Sequence, residues 1–130
     1  MAEKQIDLLF KCMKMILESN VLKDVTPSEW VRRLMYFHTK GWLYCSFNGD
    51  EVETVGAIYR VPEFNENDLV YPEEEKGHIG YIPFFVSKAK SIFKARKLLK
   101  AYTDKTPEVT EIVYYKRNKD LRRFKIHNKE

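Results

Sequence analysis

The sequence predicts an α+β fold, with a mixed, mostly antiparallel sheet of about five strands packed with three helices. Three observations carry that expectation. Apolar residues recur at i, i+3, i+4 and i+7 in residues 3–19, 26–41 and 91–103, the spacing of one helical face. Two aromatic and β-branched runs flank an Asn48-Gly49 pair, the strongest short hairpin signal, because both residue types tolerate positive φ. A third such run, HIGYIPFFV, leads through a short turn into the last helical segment, and two further strand runs close the chain. At 130 residues, one domain spanning 1–130 can close a single hydrophobic core without metal or disulfide.

The first element is an amphipathic helix over 3–19, with Ile6, Leu9, Phe10, Met13, Ile16 and Leu17 on its apolar stripe. Core packing is the expected use of that stripe, and its methionines also suit an adaptable partner surface. Thr26-Pro27-Ser28-Glu29 announces the second helix. The Thr26 hydroxyl can cap an N3 amide, Pro27 fits N1, and Glu29 can reach back to the Thr26 amide. Trp30, Val31, Leu34, Met35 and His38 mark the side expected to be buried, and Gly41 supplies a left-handed stop.

GWLYCSF and DEVETVGAIYRV then form the hairpin around Asn48-Gly49, with Gly56 marking a bulge or a close backbone approach. Residues 62–77 carry six carboxylates, one lysine and two prolines, the composition of a loop whose Glu73-Glu74-Glu75 run offers a metal or partner site but is expected to be solvated. A strand over 78–86 delivers the chain to the third helix, which begins between Ser87 and Ser91. The stripe of this helix is Ile92, Phe93, Ala95, Leu98, Leu99 and Tyr102. Lys88, Lys90, Lys94, Arg96, Lys97 and Lys100 place six cations there with no acid among them. A strand ending on a helix N-terminus aims unpaired amides and the positive dipole end at one point, so anions bind readily there. VTEIVYYK and LRRFKIH are the last two strands, joined by a turn over 117–120.

Charge is divided along the chain. Residues 1–87 hold 9 Lys/Arg against 14 Asp/Glu, whereas residues 88–130 hold 14 against 5, so the C-terminal third is the basic part. That polarity suits an anionic cofactor, nucleic acid or an acidic partner. No apolar run approaches the roughly 18–20 residues that a transmembrane helix needs, and residues 1–19 lack the continuous apolar region of a signal peptide. A cytoplasmic location is therefore expected. Cys12 and Cys45 stand without a CxxC or Cys/His cluster and are expected as reduced, mostly buried thiols, with no metal site. His38, His78 and His127 are far apart, and no catalytic motif such as a Walker loop, HExxH or GxSxG occurs.

The element order over residues 24–127, two helices, meandering strands, then strand, basic turn, helix and strand, resembles the GNAT family of N-acetyltransferases. In that family a loop of pattern Arg/Gln-x-x-Gly-x-Gly/Ala between strand and helix holds the pyrophosphate of acyl-CoA. On that pattern Val86 ends the strand, Leu98-Leu99 are the first packed helix positions, and Ser91, Ile92, Lys94 and Arg96 occupy the motif. The glycines that would allow close approach are missing. The family's Asn and Gly-Phe features are only echoed at 118–124, and the helix over 3–19 takes the place of its first strand. The likeness implies a shortened, divergent member, similar to the acetyltransferase-like proteins of tailed bacteriophages, some of them virion-associated.

Three functions compete on this reading. The first is a GNAT-like scaffold without acyl transfer or resident cofactor, acting through a protein partner or self-association, in a host cell or a virion. The second is an active acetyl-CoA-dependent N-acetyltransferase. Val86, Lys88, Lys90, Ser91 and Lys94 would then hold the cofactor, Tyr102, Tyr114 or Tyr115 would act as general acid, and Glu53 or a backbone carbonyl would assist the amine. The third is nucleic-acid binding by Lys116, Arg117, Arg122, Arg123 and Lys125, with Tyr114, Tyr115 and Phe124 interleaved for stacking. Alternation along a strand sends half of those side chains to each face.

Overall fold

The amphipathic segments form three helices and the β-branched runs form five strands. In chain order these are α1 (Glu3–Ser19), α2 (Pro27–Lys40), β1 (Leu43–Asn48), β2 (Glu51–Val61), β3 (Ile79–Ser87), α3 (Ile92–Lys105), β4 (Glu111–Lys116) and β5 (Asp120–Lys125). The computed structural model describes residues 3–19, 25–64, 75–87, 92–116 and 120–126. The strands make one sheet in sequence order, β1-β2-β3-β4-β5. Every neighbouring pair is antiparallel except β3 and β4, which run parallel through the α3 crossover. The fold is thus α+β with a mixed, mostly antiparallel sheet.

Local chemistry fixes the ends of α2 as the sequence predicts. Thr26 accepts a hydrogen bond from the Glu29 amide at 3.2 Å, Pro27 opens the helix, and Gly41 closes it at φ 76°. Glu29 itself turns forward, pairing with Arg33 at 3.4 Å and Arg32 at 3.8 Å instead of reaching back to Thr26. The β1–β2 hairpin forms, with Asn48 paired to Glu51, so the two turn residues are Gly49 and Asp50, one position later than Asn48-Gly49. Gly49 supplies the positive φ that such a turn requires.

The two apolar helix faces are rotated from expectation. In α2, Trp30, Leu34 and Phe37 are buried, whereas Val31 and Met35 are exposed and His38 is half-buried. In α1, Cys12, Met13, Met15 and Ile16 are buried, and Ile6, Phe10 and Leu17 are exposed, Phe10 by 70%. A helix with apolar residues over more than half its circumference can seat itself in several orientations, and tertiary packing selects one.

The helices lie on opposite faces of the sheet. α1 and α2 cover the larger core, where Trp30, Leu34 and Phe37 meet Val55, Ala57, Tyr59, Ile79, Tyr81, Phe84, Val86 and Val113. Phe84 packs edge-on against Trp30 with ring centroids 5.0 Å apart, and Trp42 stacks on Tyr59 at 4.7 Å. α3 covers a smaller core on the other face, built on Ile58, Tyr102, Val109 and Ile112. A bulge in β3 makes this arrangement possible. Between the pairs Ala57↔Phe84 and Tyr59↔Tyr81, β3 spends Ile82 and Pro83 against Ile58 alone. The extra residue keeps Tyr81 and Phe84 on the same face, and Pro83, which has no amide to donate, occupies the irregular position. The seam between β3 and β4 is short. Their pairing runs from Ile79↔Glu111 to Ile82↔Tyr114, while β3 goes on beside β2 as far as Thr54↔Ser87.

Candidate functional site

The place where β3 leaves β4 behind lies beneath α3. There α3 meets the sheet through Tyr102, whose ring packs edge-on against Tyr44 of β1 at 5.8 Å. Beside this contact is an open cavity of about 350 Å³, lined by Gly56, Ala57 and Ile58 of β2, Ile82 and Phe85 of β3, Arg96, Leu98, Leu99 and Tyr102 of α3, and Tyr44 and Tyr114. Gly56 has a steric role here: a Cβ at that position would come within 2.7 Å of the Phe85 ring and 3.1 Å of the Phe84 carbonyl oxygen. Of the two meanings that Gly56 carried in the sequence, close approach is the one realised. The wall is apolar, with an exposed Arg96 and the three tyrosines as its polar elements. A volume of this size with few polar groups is characteristic of small-molecule sites.

One polar group on this wall is sealed in. Tyr102 is 4% exposed, and its hydroxyl is buried without a hydrogen-bond partner among the described residues. Burial pushes its phenol well above the usual tyrosine range, and the negative charge of Glu75 and the neighbouring Tyr44 add to the effect. Tyr44 is raised for the same reasons, burial first and Glu75 second. Both phenols are therefore neutral donors at physiological pH. A neutral buried phenol can donate to a carbonyl or a thiolate and cannot serve as a base.

Glu75 is an anchor of this end of the sheet. Its carboxylate accepts from the Trp42 indole N–H at 2.5 Å and from the Arg60 amide at 3.1 Å, and its carbonyl accepts from the Arg60 guanidinium at 3.3 Å. Arg60 also pairs with Glu108, beyond the end of α3, at 3.2 Å. The expectation of a solvated Glu73-Glu74-Glu75 run is therefore corrected at Glu75. A carboxylate with two sheet-end donors within reach gains charge-assisted hydrogen bonds that outweigh its partial dehydration. Glu73 and Glu74 lie outside the described residues.

Val86 is buried in the larger core, on the face of α1 and α2, paired with Val55. Lys88, Lys90 and Ser91 lie outside the described residues, as does the side chain of Lys94. The turn that would cradle an anion is therefore among them. Tyr102 and Tyr114, two of the three candidate acids, both line the cavity, and the Tyr115 side chain lies outside the described residues. Of the basic C-terminal set, Arg122, Arg123 and Lys125 are exposed on β5, while Arg117 and the Lys116 side chain lie outside. Register divides the exposed ones. Arg123 pairs with Val113, on the α1 and α2 face, and its guanidinium binds Glu111 at 2.7 Å. Arg122 pairs with Tyr114, on the cavity face. Sequence reasoning missed Tyr44, Gly56, Ile82 and Phe85 as wall residues. The period-two alternation of β1 to β3 could have grouped them on one face, but the two bulges shift that parity.

No protein-family model matches this chain, and no curated protein or solved structure is significantly similar to it. Among the described residues there is no cluster of His, Cys, Asp or Glu able to hold a metal ion, and no helix long and apolar enough to cross a membrane.

Proposed function

We propose that the protein binds an acyl chain carrying an anionic head, of the acyl-coenzyme A class, in the cavity between α3 and the sheet. The observation that carries this reading is the apolar wall of Ile58, Ile82, Phe85, Leu98 and Leu99, set where β3 diverges from β4. Apolar side chains exposed to water in a concave wall gain free energy when an acyl arm covers them, about 25 cal/mol per Å². Arg96, exposed on α3, supplies positive charge for the head group, and Lys88, Lys90 and Lys94 precede it in the sequence. A shortened GNAT-like ancestry accounts for the order of elements and for this location. In that likeness Ser91 falls where the leading Arg/Gln of the phosphate loop is expected and Ile92, Lys94 and Arg96 fall on or near its glycine positions, so the head group would be held by side-chain charge in place of a backbone cradle.

Calorimetric titration with octanoyl-CoA, CoA and octanoate tests the reading. Octanoyl-CoA is expected to bind in the micromolar range and more tightly than either of its parts. Leu99→Trp, which fills the cavity, is expected to weaken octanoyl-CoA at least about tenfold, a loss near 1.4 kcal/mol. Lys88→Glu with Lys90→Glu weakens CoA while leaving octanoate unchanged. If none of the three ligands binds at about 1 mM, where a site would still be worth about 4 kcal/mol, the reading fails.

A second reading, a scaffold acting by self-association, is favoured by the exposed stripe of Ile6, Phe10 and Leu17 on α1. These three lie on one side of the helix, and solvent-facing apolar residues in a row suit a second copy of the same helix. Sedimentation velocity would find a dimer that Phe10→Glu dissociates. A monomer at all accessible concentrations removes this reading.

A further inference from the structure

Cys12 of α1 and Cys45 of β1 are 33 residues apart in sequence, yet their Sγ atoms meet at 3.7 Å. Both are free thiols, Cys12 with no exposed surface and Cys45 half-buried. Among the described residues β1 is an edge strand, paired with β2 alone, so Cys45, half-buried, sits where a small solute can approach and Cys12 sits behind it. We propose that Cys12 and Cys45 are a redox site, which a two-electron oxidant of the peroxide class converts into an internal disulfide fastening α1 to the edge of the sheet.

The geometry asks for little movement. A disulfide sulfur pair stands about 2.05 Å apart, so the two Sγ atoms must approach by less than about 2 Å, within the reach of side-chain rotation and a small shift of the helix. The roles of the two thiols follow from their surroundings. The hydrogen bond between the two sulfurs, together with burial, holds Cys12 above the usual thiol range, and the same contact pulls Cys45 below it. Cys45 is thus the more nucleophilic and the more accessible sulfur, and Cys12 is the resolving one.

The reaction balances with peroxide as oxidant. The Cys45 thiolate attacks one peroxide oxygen, the O–O bond breaks, and a sulfenic acid forms as hydroxide leaves. The Cys12 sulfur then attacks Cys45 Sγ, the S–O bond breaks, and the Cys12 proton leaves with the departing hydroxide as water. In sum two thiols and one hydrogen peroxide give one disulfide and two waters. The new bond closes a loop containing all of α2, restricting the unfolded chain and tying α1 to the sheet in the folded one.

Intact mass under non-reducing conditions, after hydrogen peroxide treatment of the native chain, is the test. The expected product is a monomer lighter by two hydrogens, with a peptide map joining the Cys12 and Cys45 peptides. Its melting temperature is expected to rise by roughly 5–15 °C and to fall back on adding dithiothreitol. Cys12→Ser is expected to stop at a Cys45 sulfenic acid that dimedone traps, and to show no rise in melting temperature. The proposal is overturned if both thiols survive in the native chain at a peroxide dose that oxidises them in urea, or if the product is an intermolecular dimer. Mass and peptide map of the unaltered protein decide this even where Cys12→Ser does not fold.

Discussion

Tyr102 carries the least expected polar atom of the smaller core, a hydroxyl shut away from water and from any described partner. Leaving a hydroxyl in that condition costs free energy, so its removal is not a loss of a hydrogen bond. Tyr102→Phe is expected to change stability by no more than about 1 kcal/mol in urea unfolding and to leave the fold intact. The same residue has a pH signature. Its folded pKa lies above its unfolded value near 10, so its neutral form is favoured by folding, and that stability is complete below about pH 10 and lost as pH rises through the folded value. The urea midpoint of the wild type should therefore fall more steeply above about pH 10 than that of Tyr102→Phe. Glu75 makes the opposite case. Glu75→Ala strands the Trp42 indole N–H and the Arg60 amide, and is expected to cost about 2–4 kcal/mol, read from urea unfolding followed by tryptophan fluorescence. Nothing in the sequence distinguished Glu75 from Glu73 and Glu74. Its partners are 33 and 15 residues away, Trp42 just ahead of β1 and Arg60 on β2, at a distance from the loop that no local pattern encodes.

At the level of elements, existence was easier to read than orientation. Thr26-Pro27 and Gly41 are local devices, complete within a few residues of chain, and the structure uses them as such. The buried side of α1 is decided by what lies under it, and the wide apolar arc from Ile6 to Leu17 left two settings of similar hydrophobic gain. The one adopted turns Cys12, Met15 and Ile16 inward and leaves Phe10 out. Two substitutions on the helix discriminate the settings. Phe10→Ser is expected to alter stability by less than about 0.5 kcal/mol, whereas Ile16→Ala, at 3% exposure, is expected to cost about 2–4 kcal/mol in the same urea assay. Equal costs would mean that α1 lies with Phe10 against the sheet. The cavity belongs to this scale as well. Its wall comes from four strands and a helix, and a bulge in β1–β2 and another in β2–β3 interrupt the alternation by which a reader would assign each residue to a face.

For the molecule as a whole, the class of fold and the order of elements follow from periodicity, the hairpin and the two apolar runs after α3, and these were legible. Which strands pair in parallel was fixed by the crossover through α3, since a helix between two strands returns the chain in the same direction. Where that pairing stops was not legible, because it depends on the bulge at Ile82-Pro83 and on what β3 gains by staying with β2. The sheet is consequently two antiparallel ribbons, β1-β2-β3 and β4-β5, stitched together by four residue pairs. A short stitch is the line along which the sheet parts first under thermal fluctuation or load, with each ribbon holding together after the stitch has opened. Amide exchange is therefore expected to begin in β4 and β5, whose fully buried described residues are Ile112 and Val113, and to reach β2 last. Exchange that starts in β2 would contradict this. An occupant wedged beside Ile82 and Tyr114 would act as a clasp across the stitch, slowing exchange in both ribbons at once, so that loading of the cavity would register at amides that never touch it.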